Sequence, residues 1–188
     1  MTKREVVVLS GVRTAVADFG GGLKDVPPTE LAGKVISEAV SRSGLEAQDI
    51  GHCVVGSVLH SDRRDMYMAR TASLNGGLPI ETPALTVNRL CGSGLQAIVS
   101  AAQMILLGDC DAVVAAGAES MSRTPYWLPD TRFGAKMGDS KTVDPMVGAL
   151  TCPIGDTHMG ITAENLACLL YTSPSPRDQR GSRMPSSA

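Results

Sequence analysis

Residues 88–97 read Asn88-Arg89-Leu90-Cys91-Gly92-Ser93-Gly94-Leu95-Gln96-Ala97. A strand-like run at 83–87 precedes them and apolar side chains follow at helical spacing, so Cys91 is expected at a strand-to-helix turn. The first N–H groups of a helix lack partners within it, and the helix dipole favours negative charge there. Cysteines in such positions commonly have a pKa lowered from about 8.5 to between ~3.5 and ~7.5. The position predicts a thiolate nucleophile, with a small buried core side chain as the alternative.

Strand and helix patterns alternate around this turn. Continuous apolar runs at 6–9, 50–59 and 111–116 predict buried strands, and residues 29–44 predict a helix that begins with a Thr29 cap and ends at Gly44. The helix after Cys91 is apolar nearly all round, which predicts that protein covers it on every side. Strand, helix and strand in this order predict an α/β fold whose sheet is mostly parallel, with helices on both faces.

The composition and net charge argue against some classes of binding partner. The 188 residues are 43% hydrophobic, and the net charge of −2 offers no basic surface for nucleic acid or an anionic membrane. No apolar run approaches the ~20 residues of a membrane span. Five cysteines, an odd number without a CxxC pair, and no secretory segment favour reduced thiols in the cytoplasm.

A metal site is disfavoured. His52, Cys53 and His60 lie close in sequence, but neighbouring residues on a strand point to opposite faces, so His52 and Cys53 could not easily share one ion. We therefore expect no metal and no cofactor.

Three ordered motifs carry a resemblance to a known family. They are residues 88–97, then Gly117-Ala118-Glu119-Ser120-Met121-Ser122, then His158-Met159-Gly160-Ile161-Thr162-Ala163-Glu164-Asn165. Together they resemble the amino-terminal half of a thiolase, in particular a bacterial β-ketothiolase or acetyl-CoA acyltransferase, and the similarity spans residues 5–167. The resemblance implies the layered thiolase fold, in which two similar halves bury their central helices between them. The core half at 1–121 contributes the helix after Cys91, and a lone half would expose one side of it. The resemblance also implies the start of a loop domain at 122–167, which covers the acyl-CoA and contributes to subunit assembly.

The resemblance also implies a chemistry. Cys91 would be the catalytic nucleophile that accepts an acyl group from a 3-ketoacyl-CoA, or from one of two condensing acyl-CoA molecules, as a thioester. Leu90 and Met159 would line the acyl pocket, and His158 would lie beside the pantetheine arm. CoA and acyl-CoA are then substrates rather than cofactors, and the full-length parent is expected to be a homodimer or homotetramer.

Thiolases take their activating histidine, a second cysteine and an Asn-held water from motifs of the carboxyl-terminal half, which do not occur here. We therefore expect this polypeptide by itself to be an inactive fragment.

Two other function classes stay open. A ketoacyl-synthase-type condensing enzyme also presents a cysteine at a helix start, although His158-Met159-Gly160 favours a thiolase. A non-catalytic module that binds acyl-CoA or lipid could share the same half-fold.

Residues 168–188 differ from the rest of the chain. They are rich in Ser, Pro and Arg and show no apolar periodicity, which predicts disorder. Their amino-acid sequence resembles the translation of a sequencing adapter, so we expect a non-native tail.

Overall fold

The computed structural model describes residues 4–170, which form two compact units. The first unit ends at Met146 and the second begins at Val147. Residues 122–146 thus group with the first unit, whereas the sequence analysis begins the loop domain at residue 122. Hydrogen bonds to the rest of the first unit account for part of the grouping: the Ser122 hydroxyl accepts the Gly20 N–H at 2.9 Å, and the Arg123 guanidinium donates to the Asp25 carbonyl at 3.2 Å.

A three-stranded parallel sheet lies at the centre of the first unit. Its strands are β1 (His52–Gly56), β2 (Ala84–Val87) and β3 (Val113–Gly117), in the order β2-β1-β3. Cys53 of β1 lies opposite Ala84 on one side and Val114 on the other. The predicted parallel sheet is confirmed.

Helices cover both faces of this sheet, as predicted. On one face α1 (Pro28–Ser43) and α2 (Met68–Asn75) pack together over a core that includes Cys53 and Val55 of β1. On the other face α3 (Ser93–Leu107) contacts mainly β1 and β3. Because side chains alternate along a strand, both faces of β1 are buried.

The start of α1 differs from the prediction. The N-cap is Pro27, Pro28 is the first helical residue, and Thr29 lies inside the helix with its side chain fully buried. Proline suits the first helical position, because its ring fixes φ and its missing N–H would have no partner there. Gly44 ends the helix in a left-handed conformation, as expected.

The predicted strand at 6–9 is wrong in this structure. These residues have no regular structure and are exposed, with Val8 at 85%. They line a cavity of about 1190 Å³ whose other walls include β3 and apolar side chains of α1 and α3. A β-branched run expresses a local preference, and it becomes a strand only where a neighbouring edge pairs with it. Side-chain contacts hold the segment instead: Arg4 forms a 2.6 Å ion pair with Asp111, and the Ser10 hydroxyl donates to the Ala39 carbonyl at 2.7 Å.

Within the described residues only the sheet side of α3 is covered, as expected for a lone half of the fold. The sheet side of the helix is buried at Ser93, Ala97 and Ala101, while Leu95 and Leu107 are exposed, the latter at 79%. Nothing within residues 4–170 covers the outer side. Leu90–Leu107 is long and apolar enough to cross a membrane, with mean hydropathy 1.6 and 17% of the stretch buried, although no such run was expected. Length and composition alone do not separate a membrane span from a helix that protein covers.

The second unit is small. The strands β4 (Thr151–Cys152) and β5 (Thr157–His158) form an antiparallel hairpin that follows the short helix α4 (Pro145–Ala149). The helix α5 (Met159–Leu170) begins directly after the hairpin. Residues 168–170 are therefore helical rather than disordered, in keeping with the good helix-forming residues Ala167 and Leu169. The rest of the predicted tail, 171–188, lies outside the described residues.

Candidate active site

Cys91 lies in a tight turn between β2 and α3, as the sequence predicts. Its side chain is exposed, and α3 begins two residues later at Ser93 with Gly92 as the N-cap. Leu90, just before it, has a left-handed φ of 47°. That conformation is uncommon for a residue other than glycine. The turn therefore holds the thiol at the surface rather than in the core, which excludes the alternative of a small buried core side chain; the nucleophile stays a prediction.

Short hydrogen bonds hold the turn in this strained form. The Asn88 side-chain oxygen accepts the Leu90 N–H at 3.0 Å. The buried Ser93 hydroxyl accepts the Arg89 N–H at 2.9 Å and donates to the Leu90 carbonyl at 2.6 Å. Since Arg89 and Leu90 are both tied in this way, the surrounding structure maintains the left-handed backbone of Leu90.

Backbone amides remain available beside the thiol. The N–H groups of Gly92 and Ser93 donate to the carbonyls of Arg89 and Leu90. In the part of the chain that the structure describes, the N–H groups of Cys91 and Gly94 have no hydrogen-bond partner. Such amides at a helix start can hold a developing negative charge on sulfur or on a substrate oxygen.

Two strand-end glycines let α3 begin close to the sheet. A β-carbon added to Gly56 would lie 2.5 Å from the Ser93 carbonyl carbon, far inside van der Waals contact. One added to Gly117 would lie 3.4 Å from the Gly94 Cα. The sequence analysis assigned no role to either glycine. The signal for Gly117 was its place directly after the predicted strand 111–116, at the start of the second motif. Gly56 lies inside the predicted strand 50–59, so it carried no comparable signal in the sequence.

Glu119 also lies at this edge of the sheet and was quoted in a motif without a role. Its carboxylate accepts the Val58 N–H at 2.9 Å and the Leu59 N–H at 3.0 Å. Partial burial raises the pKa of Glu119, and the two backbone N–H groups offset part of that rise.

The other cysteines are less suited to nucleophilic chemistry at the sheet edge. Burial raises the pKa of Cys53 to about 12, which keeps this core thiol protonated. Burial also raises the pKa of Cys110, with help from the neighbouring charges of Asp109 and Asp111. The N–H groups of Gly155 and Ile154 lower the pKa of Cys152, which lies in the hairpin of the second unit.

His158 and Met159 belong to the second unit and are described within it. His158 lies in β5, opposite Thr151, rather than on an irregular loop as expected. Its Nδ1 accepts the Gly160 N–H at 3.1 Å, and the ring is half-buried. Met159 opens α5, and its N–H donates to the Leu150 carbonyl at 2.8 Å. Of the predicted site residues, Leu90 and Cys91 therefore share one turn, and His158 and Met159 share another segment.

Among the described side chains, no group of three or more His, Cys, Asp and Glu residues could hold a metal ion. The expectation that the protein uses no metal or cofactor stays a prediction.

A family model described as "Thiolase, N-terminal domain" matches residues 6–177. The chain belongs to the thiolase family. The match favours this family over the ketoacyl-synthase-type alternative, and it extends through the first ten residues of the predicted tail.

Curated thiolases align over most of the chain. The β-ketothiolase BktB of Cupriavidus necator is 60% identical over 164 residues, which are 87% of this chain and 42% of that protein. The acetyl-CoA acetyltransferase of Chromobacterium violaceum is 45% identical over the same length and with the same coverage.

Solved thiolase structures superpose on the described fold. Human mitochondrial 3-ketoacyl-CoA thiolase, in complex with CoA, matches with a TM-score of 0.84 and 40% identity over 88% of this chain. The acetyl-CoA acetyltransferase of Bacillus anthracis matches with a TM-score of 0.82 and 40% identity over 89%. These matches confirm the thiolase-like layered fold. The chain spans about 42% of the length of each of these four relatives.

Proposed function

We propose that this chain supplies the nucleophile half of an acyltransferase that moves an acyl group between a 3-ketoacyl-CoA and CoA. The observation that carries the proposal is the Cys91 turn, which holds an exposed thiol near the N–H groups of Cys91 and Gly94, neither of which has a hydrogen-bond partner among residues 4–170. Family membership and the names of the relatives, which include a β-ketothiolase and acetyl-CoA acetyltransferases, support the same activity.

The proposed reaction runs through a thioester. The Cys91 thiolate attacks the 3-keto carbon, and the bond between C2 and C3 breaks. The electron pair of that bond leaves with acetyl-CoA, which takes up a proton. The thiol of a second CoA loses its proton and attacks the acyl-enzyme, which restores the Cys91 thiolate. In the condensing direction the Cys91 thiolate takes the acyl group from an acyl-CoA, and CoA leaves and takes up a proton. A second molecule, acetyl-CoA, then loses a proton from C2, and the resulting carbanion attacks the acyl-enzyme, which releases the Cys91 thiolate and a 3-ketoacyl-CoA. Covalent catalysis suits the exchange because it divides one difficult step into two easier ones.

Specific residues of this chain would take part in that sequence. The Cys91 N–H is available to bind the substrate oxygen as charge develops on it. Leu90 is half-exposed next to the nucleophile, where an acyl chain attached to Cys91 would begin, so we assign it to the acyl pocket. We assign Met159 to the same pocket and His158 to the pantetheine arm on the family motif alone.

The whole protein would be a homodimer or homotetramer in the cytoplasm that uses CoA thioesters without a cofactor or metal. The 188-residue chain alone would be inactive, because the nucleophile, its base and the second oxyanion donor of a thiolase act as a unit. The match to 42% of the relatives' length supports that proposal.

The test is protection of Cys91 from alkylation by acyl-CoA. The chain is treated with iodoacetamide with and without acetoacetyl-CoA, and modified residues are mapped by mass spectrometry, with Cys91→Ala as the control for the label. Rapid alkylation of Cys91 that acetoacetyl-CoA selectively suppresses supports the transferase. Binding of acetoacetyl-CoA that survives Cys91→Ala and leaves the alkylation of Cys91 in the parent chain unprotected would instead support a non-catalytic binding module.

A further inference from the structure

The parallel ladder between β1 and β3 ends at Gly56 and Gly117. The last backbone hydrogen bond beyond that pair joins the Ala118 N–H to the Gly56 carbonyl at 3.1 Å. Beyond this bond, the residues that follow β1 hydrogen-bond to the Glu119 side chain instead of to the backbone that follows β3. One carboxylate oxygen accepts the Val58 N–H and the other accepts the Leu59 N–H.

The same segment is tied on its other side to the strand that leads into the Cys91 turn. The Ser57 N–H donates to the Val87 carbonyl at 3.1 Å. Val87 is the last residue of β2, and Asn88 opens the turn. Residues 57–59 therefore form a bridge between Glu119 on one side and the approach to Cys91 on the other.

This bridge directly follows Gly56, whose contact with Ser93 and Gly94 positions the start of α3. The Gly56 backbone lies under Ser93 and Gly94 with no room for a side chain. The Ser93 hydroxyl in turn holds the two residues that precede Cys91, since it accepts the Arg89 N–H and donates to the Leu90 carbonyl. A shift of residues 56–59 would therefore move the first turn of α3 and the Cys91 turn with it.

We propose that Glu119 is a positioning residue for Cys91. Its carboxylate fixes residues 57–59, and through the contact of Gly56 with Ser93 it keeps the N–H groups at the start of α3 directed at the thiol. The inference rests on the proposed role of Cys91 as a nucleophile.

The side-chain chemistry explains why glutamate is needed. Two consecutive N–H donors require two acceptor oxygens, which a carboxylate supplies and an amide does not. Glutamine would satisfy one donor and direct its NH₂ group at the other. Aspartate carries both oxygens on a side chain one methylene shorter, so it cannot reach both donors at hydrogen-bond distance without movement of the backbone.

The experiment compares Glu119→Gln with Glu81→Gln in the 188-residue chain. Glu81 is exposed and makes no side-chain hydrogen bond within residues 4–170, so it is a matched control. The readout is the rate of alkylation of Cys91 by iodoacetamide at pH 7, divided by that of Cys168, an exposed thiol in α5. We expect Glu119→Gln to lower this ratio about fivefold or more, the effect of one lost hydrogen bond. Glu81→Gln should leave it unchanged.

A purely electrostatic role predicts the opposite sign. Removal of a negative charge from the sheet edge would favour the thiolate and raise the ratio. A ratio that is unchanged or raised in folded Glu119→Gln therefore overturns the proposal. Folding is checked by the protection of the buried Cys53.

If Glu119→Gln fails that check, Glu119→Asp gives the same comparison with the charge retained, and a lowered ratio is again expected. Amide exchange at Val58 and Leu59 should also become faster in either variant, and slow exchange at both would count against the proposal. The alkylation rates of the unsubstituted chain distinguish the failure of the nucleophile proposal for Cys91 from the failure of the positioning proposal for Glu119. Equal reactivity of Cys91 and Cys168 in that chain refutes the nucleophile, whereas a reactive Cys91 with a ratio unaffected at Glu119 refutes positioning alone.

Discussion

The residue scale is dominated by the turn at Cys91. The apolar spacing around residues 88–97 is enough to place this cysteine at a helix start, and the structure confirms that placement. The left-handed backbone of Leu90 could not be predicted, because leucine has no local preference for that conformation. The turn is maintained by hydrogen bonds from Asn88 and Ser93, and serine and asparagine serve many other purposes in sequences.

The Ser93 hydroxyl should therefore be important for stability. In Ser93→Ala the Arg89 N–H and the Leu90 carbonyl lose their hydrogen-bond partner. The bonds from Ser93 that hold Leu90 in its strained left-handed conformation are then missing. We expect the free energy of unfolding to fall by about 1–3 kcal/mol in urea denaturation. Ser41→Ala, at an exposed position of α1, is the control and should change stability by less than about 0.5 kcal/mol. Equal effects of the two substitutions would show that the hydroxyl does not hold the turn.

Because burial raises the pKa of Cys53, we expect the folded protein to lose stability in alkali. Its folded pKa is about 12 against an ordinary value of 9.0, so between these values the unfolded chain has lost a proton that the folded chain retains. Stability is then full below pH 9 and falls by about 1.4 kcal/mol for each pH unit above it. Urea denaturation between pH 8 and 10.5 should show this slope, and Cys53→Ala should remove most of it. The exposed Cys168→Ala is the control, and a slope that survives Cys53→Ala would contradict the assignment.

At the scale of elements, the parallel sheet and the helices α1 and α3 follow from sequence periodicity. Two features do not: what pairs with residues 6–9, and what covers the outer side of α3. The run at 6–9 has the composition of a buried strand but remains exposed, because periodicity does not say which edge will pair with it. The apolar surface of α3 likewise indicates burial without identifying what covers it. An apolar pattern indicates which secondary structure a segment favours, whereas the segments that pair with it or cover it are determined by the rest of the protein.

The contact of α3 with the sheet gives a prediction of its own. In Gly56→Ala the new methyl group meets the Ser93 backbone at 2.5 Å, so α3 must shift. We expect a loss of about 1–3 kcal/mol in the free energy of unfolding, as for other overpacked positions. Gly94→Ala is the matched control, since its β-carbon would meet nothing within 4 Å, and a helical alanine should keep or raise stability. Tolerance of both substitutions would mean that close packing does not position the Cys91 turn.

At the scale of the whole molecule, the chain matches about 42% of the length of the related thiolases named above. The outer side of α3 is apolar and exposed in this structure, and large apolar patches promote association. In the family fold that our sequence analysis invoked, a second half of similar structure covers this central helix.

We therefore expect the 188-residue chain to self-associate. Sedimentation velocity at increasing concentration should show species larger than a monomer. The double substitution Leu95→Lys with Leu107→Lys should reduce association, because both side chains lie on the exposed side of α3. Phe133→Lys, an equally exposed apolar position outside α3, should not reduce it. A stable monomer from the unmodified chain would contradict the account of this surface.

The central claim is that the turn makes Cys91 a nucleophile, and the chain contains its own reference thiol. Cys91 precedes the N–H end of α3, whereas Cys168 lies near the carbonyl end of α5, and both are exposed. Iodoacetamide labelling at pH 7, followed by peptide mass spectrometry, measures both rates in one sample. We predict that Cys91 reacts at least about tenfold faster, because its thiolate has helix-start N–H groups beside it. Equal rates, or a faster reaction at Cys168, would contradict the account.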